Sequence, residues 1–199
     1  MPFSQLKTLS LILITAFLLT GCDSESLIPQ ERISVESEQP VLIINGHTLP
    51  PEPDPKENNA TLLGVDSNNN GVRDDVERWI YQKYKDKRPI YIDIAMQEAR
   101  AWQMIMRNPP STAKTTTKLM EAAIYCQSYY KIYAKFSDDP ILVTENIIFD
   151  AKVLNTIERK NAYITYDKAL SGGVYSLPHI DKMKSMCDFD TSKYGKNND

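Results

Sequence analysis

VERWIYQKYKDKRPIYIDIAMQEARAWQMIMRNPP, residues 76–110, carries two apolar stripes of helical period, parted by a charged turn and closed by a proline pair. Val76, Trp79, Ile80 and Tyr84 recur at spacings of three and four, and the run ends in KDKR before Pro89. Ile92, Ala95, Ala99, Trp102 and Met106 make the second stripe. Asn108-Pro109-Pro110 stops it, because proline restricts the residue before it and cannot continue the hydrogen-bond ladder. Two amphipathic helices in tandem set the class, since each must bury its stripe against another element.

The same pattern continues towards the C-terminus. A third helix is expected from near Ser111 or Thr112, either of which can cap it, with Leu119, Ala122, Cys126, Tyr130 and Tyr133 on its buried face. Ser137-Asp138-Asp139-Pro140 then launches a long fourth helix through Ile147, Ala151, Leu154 and Ile157, ended by Ser171-Gly172-Gly173. The tail to Asp199 has little periodicity. The fold class predicted is mainly α, a compact four-helix domain of residues 61–190, with 191–199 as a flexible tail.

Upstream the composition changes. Six of the twelve prolines fall between Pro29 and Pro55, so residues 22–60 read as a proline-rich tether that cannot bury enough surface to offset its ordering entropy. One island interrupts it: VLIINGHTLP, residues 41–50, sets Asn45-Gly46 between short apolar stretches, a two-residue hairpin signal. A lone hairpin is marginal, so this one must pack on the domain or on another chain.

Residues 1–22, MPFSQLKTLSLILITAFLLTGC, have one positive charge at Lys7 and an apolar run too short to span a bilayer. Leu19-Thr20-Gly21-Cys22 resembles the lipobox of bacterial lipoproteins. The resemblance implies a signal peptide of residues 1–21, acylation of Cys22 and a lipid-anchored place in the bacterial cell envelope. Asp23 resembles an inner-membrane retention signal, which favours the periplasmic face of the inner membrane over the outer membrane. With Cys22 assigned to the lipid, Cys126 and Cys187 are expected to form a disulfide in an oxidising compartment, two free thiols or a metal site being the alternatives.

VDSNNNGVRDDVERWI, residues 65–80, is the stretch whose spacing points to a chemistry. Counted from Asp66, a twelve-residue loop for calcium takes oxygen ligands at positions one, three, five, seven through its carbonyl, nine and twelve. Those positions hold Asp66, Asn68, Asn70, the Val72 carbonyl, Asp74 and Glu77, and Gly71 stands where the loop needs positive φ. The stretch, residues 66–77, is similar to EF-hand loops and to the single calcium loops of dockerin and thrombospondin-type repeats. It departs from them in having no entering helix and in Arg73 at position eight, where an aliphatic residue usually pairs with a second loop. Ca2+ is the cofactor this implies, as a structural staple where tether meets domain. The rival reading is a polar turn followed by an acidic first helical turn favoured by the helix dipole, with Asp75 serving that dipole.

Nothing else in the chain spells out a chemistry. His47 and His179 have no second ligand at metal spacing and read as solvent-facing. Tyr125, Tyr129, Tyr130 and Tyr133 read as core more than as a ligand groove. KYKDKR, residues 83–88, reads as a solvated last helical turn more than as a headgroup contact. No catalytic residue is assigned. A net charge of -3 with cations scattered among acids offers no field for nucleic acid. The function expected is a binding or scaffolding module that docks another envelope protein, the alternative being an envelope enzyme or small-ligand binder.

Overall fold

The computed structural model describes residues 40–132, 146–173 and 176–194. The signal segment 1–21, Cys22, Asp23, the tether up to residue 39, Tyr133, the expected cap at Ser137 to Pro140 and the last five residues lie outside the described residues.

Two residues at a time suffice for the hairpin. Strands β1 (Ile43–Ile44) and β2 (His47–Thr48) pair antiparallel with Ile44 opposite His47. Asn45 and Gly46 both take positive φ, 52° and 77°, the combination a tight two-residue turn needs to match strand twist. Asp54 then caps α1 (Pro55–Asn58), accepting from the amides of Lys56 and Glu57 at 2.9 Å, with proline at the first helical position.

Helices α2 (Asp74–Tyr84) and α3 (Ile90–Arg107) occupy the two stripes of the opening stretch. All five predicted stripe residues of α3 are buried, and so are Ile94, Met96, Ala101 and Ile105 on other faces, so this helix runs through the middle of the core. It ends at Asn108, extended ahead of Pro109 as proline demands. A short 3-10 turn at Pro110–Thr112 leads into α4 (Ala113–Ile132). There the buried line is Ala113, Thr116, Ala123, Cys126 and Tyr130. Leu119, expected inside, is 45 % exposed, because the small residues are the ones that let α4 approach its neighbours closely.

The long fourth helix is in fact two, α5 (Asn146–Val153) and α6 (Ile157–Ala169). Thr156 breaks the run: its backbone is extended and its hydroxyl accepts from the Arg159 amide at 3.2 Å, a cap in the middle of an apolar pattern. The break turns Arg159, 0 % exposed, onto the loop that follows α1. Its guanidinium donates to the carbonyls of Asn58, Thr61 and Leu62 and to the side chains of Asn59 and Asn155, at 2.5–3.0 Å. Only arginine offers five donors in one plane to meet such a ring of acceptors. Residues 40–60, assigned by composition to the tether, therefore pack with the helices in one compact unit.

The tail is also ordered at its start. It forms α7 (Ile180–Lys184) and a 3-10 turn at Thr191–Lys193. Cys187 is bonded to Cys126 of α4, with Cα atoms 5.0 Å apart. A polar ladder ties the rest to α3: Gln97 donates to the Met186 carbonyl, Arg100 pairs with Asp188, and the Tyr194 hydroxyl donates to Asp93 at 2.6 Å.

Candidate functional site

The loop of residues 66–77 closes on itself through its own side chains. Asp66 accepts from the amides of Asn70 and Gly71 at 3.1 and 3.0 Å. Asn68 Oδ1 accepts from the Asn70 amide, and Asn70 Oδ1 from the Val72 amide. Asp74 takes the Ser67 amide on both carboxylate oxygens, and its own amide donates to the Val65 carbonyl at 2.8 Å. Gly71 has φ of 82° and Asn69 of 55°, so the chain reverses twice in left-handed conformations within three residues. That is why glycine and asparagine occupy them.

Glu77 completes the ring from the first turn of α2. It is 0 % exposed, and its Oε2 accepts from Asn68 Nδ2 at 3.0 Å and Asn70 Nδ2 at 2.7 Å. Positions three, five and twelve of the predicted ligand set thus converge. Asp74 is buried as well, and burial lifts its carboxyl above the usual range, reinforced by the charges of Asp66 and Glu77 and opposed by Ser67. The Val72 side chain is buried in the core, which anchors the backbone at position seven.

Two residues outside the expected ligand set fasten this loop to its neighbours. His47, expected to face solvent, sets Nε2 2.6 Å from Glu77 Oε1 and stacks on Tyr81 with ring centres 4.2 Å apart. The hairpin is docked by it, and also by Asn45, which donates to the Lys85 carbonyl at 3.1 Å. Arg73, at position eight, is 2 % exposed and turned inwards, where it pairs with Asp75 and donates to the carbonyls of Lys152 and Val153. It reaches the end of α5 where an aliphatic residue would reach a second loop. Asp75, read as a dipole charge, is consequently an ion-pair residue: burial alone would raise its carboxyl, but Arg73 and then Lys152 hold it below the usual range. Gly64 leaves the room for this arrangement, since a Cβ there would collide with Arg73 Cδ and Asn58 Oδ1.

No protein-family model matches the chain, and no curated protein or solved structure does either. Among the described residues, no group of three or more His, Cys, Asp or Glu side chains is placed to hold a metal ion, and no helix is long and apolar enough to cross a membrane. His179 lies elsewhere, exposed and 3.0 Å from Asp181.

Proposed function

We propose that the protein is a lipid-anchored envelope module, held to a membrane through Cys22, whose 66–77 loop takes a structural calcium ion and whose folded domain binds or scaffolds another envelope protein. The observation that carries the calcium reading is Glu77. A fully buried carboxylate turned back onto Asn68 and Asn70 brings positions three, five and twelve of the loop together, as calcium ligation requires. In that reading the two asparagine amides turn their oxygens, rather than their nitrogens, towards the centre of the loop, and the ion offsets the mutual repulsion of Asp66, Asp74 and Glu77. His47 holds the second oxygen of Glu77, so the carboxylate serves the ion through one oxygen while the hairpin keeps the other.

The ion then joins the hairpin, the loop and α2 into one rigid corner where the chain leaves its anchor. Three formal negative charges argue for affinity in the range of extracellular modules, about 10⁻⁴ to 10⁻³ M. Calcium titration followed by Trp79 fluorescence tests this, because Trp79 lies on α2 against Phe149, with ring centres 5.8 Å apart. A saturable change, abolished by Asp66→Ala, is expected. No change up to several times that concentration overturns the calcium reading and leaves the loop as a hydrogen-bonded turn. Metabolic labelling with a fatty acid, lost in Cys22→Ala, checks the anchor separately.

A further inference from the structure

A second site lies away from the loop, between α3, α4, α5 and α6. An outer groove of about 760 Å³ runs between α4 and α6, with Met120, Ile124 and Leu170 as its apolar lining. It shares these residues, together with Thr117 and Asp167, with an inner chamber of about 240 Å³, so the two are one cleft that narrows inwards. The groove is of the size that takes a small organic ligand, roughly 300–1,000 Å³, whereas the chamber has room for a headgroup only.

The chamber has an unusual charge balance. Glu98, Asp150 and Asp167 line it with no Lys, Arg or His among the described residues, while the lining of the outer groove adds Glu121 and Lys168. Its walls are aromatic: Trp102 and Tyr163 have ring centres 5.0 Å apart, and Tyr163 and Tyr166 lie at 6.4 Å with planes inclined by 28°. Four carboxylates, Glu98, Glu121, Asp150 and Asp167, outnumber Lys168 among the described residues of the cleft, and such an excess beside aromatic walls attracts a cation twice over, through charge and through the negative faces of the rings. A neutral apolar ligand uses the rings and the groove but leaves the acids unmatched, and an inorganic ion uses the acids but not the rings or the apolar groove.

We propose that this cleft binds an organic ammonium, with the cationic head in the Glu98, Asp150 and Trp102 chamber and an aliphatic chain along the groove of Met120, Ile124 and Leu170. Burial, and next the charge of Asp150, push the Glu98 carboxyl up to about 7, and burial also raises Asp150, so the chamber resists its own ionisation. A bound ammonium removes that resistance. The site is independent of the calcium loop, whose residues line no part of the cleft.

Calorimetric titration of the full chain tests it, at pH 8 and in EDTA so that the loop plays no part. The probes are hexyltrimethylammonium and hexylamine, with hexanol as the neutral counterpart. Saturable binding of the two cations, at least tenfold tighter than hexanol, is expected. Glu98→Gln and Asp150→Asn should each weaken the cations by about tenfold and leave hexanol unchanged, the size of one lost charge contact in a desolvated site. Circular dichroism confirms folding of each variant; if Asp150→Asn fails to fold, Glu98→Gln and Trp102→Phe decide. Hexanol binding as tightly as the cations, affinity untouched by the folded variants, or no heat at about ten times the affinity of a weak millimolar ligand would overturn the assignment.

Discussion

The Glu77 carboxylate stands 2.6 Å from Nε2 of His47, thirty residues earlier in the chain, while its other oxygen holds Asn68 and Asn70. One buried side chain thereby fastens the hairpin and the loop to the same helix. His47→Ala removes a charge-assisted hydrogen bond and the stack on Tyr81, and should cost about 1–3 kcal/mol. The local reading is amide exchange at Leu49, which donates to the Leu42 carbonyl beyond the turn. Exchange there should quicken in the variant; an unchanged rate would mean that the hairpin is held instead by Asn45 and by Arg78, whose guanidinium donates to the Pro50 carbonyl at 2.7 Å.

Cys126 and Cys187 are 61 residues apart, and their bond pins α7 and the tail onto α4. Closing a loop of that length stabilises by about 4 kcal/mol in the chain-entropy treatment, a value that native strain reduces and that rests on a disputed model of the unfolded state. Replacing both with serine should lower the urea midpoint without changing far-UV dichroism, since the helices retain their packing. A variant as stable as the parent would show that the polar ladder from Gln97 to Asp188 suffices.

Arg159 has no carboxylate partner within its ring of five acceptors, and burial, then the charge of Arg73, bring its pKa down to about 10. Arg159→Met leaves several buried carbonyls unmet at about 1–3 kcal/mol each, so a loss of at least ~3 kcal/mol is expected. Arg159→Lys keeps the charge but cannot reach all five acceptors, and should recover less than half of the loss. Urea unfolding of the two variants separates shape from charge; equal stability of Lys and Arg would assign the effect to charge alone.

Glu98 carries the pH prediction. Its folded pKa of about 7 lies above the ordinary 4.5, so the folded state binds more protons between those values, and stability contributed by this group falls as pH rises through that window. Below it the group is neutral in both states, and above it the penalty is constant. Glu98→Gln should therefore raise the melting temperature at pH 8 by ~2–4 °C, on the order of 1 kcal/mol after solvent screening, and have little effect at pH 4. An equal gain at both pH values would point to a packing effect.

How much of this the chain spells out depends on whether a signal is local. The α2 and α3 stripes, the Asn45-Gly46 turn and the Gly71 position are each written within a few residues, and local backbone preference with helical period is enough to read them. Thr156 is different: a threonine within an apolar run is ordinary in a helix, and it became a cap only because Arg159 had acceptors to reach on the loop after α1. Asn58 and Leu62 carry no mark that they await a guanidinium a hundred residues away. Leu119 shows the same limit from the other side, since periodicity alone cannot say which face of α4 meets a neighbour.

By itself the sequence determined the helical class, the two-residue hairpin turn, the pairing of the two cysteines and the spacing of the 66–77 loop, because each depends on short-range geometry or simple parity. Only the tertiary structure decided that His47 shares Glu77 with the loop, that Arg73 and Arg159 turn inwards, and that Glu98, Asp150 and Trp102 enclose one chamber. Those relations join residues from separate elements, and the packing that brings them together is fixed by the whole core rather than by any segment of it.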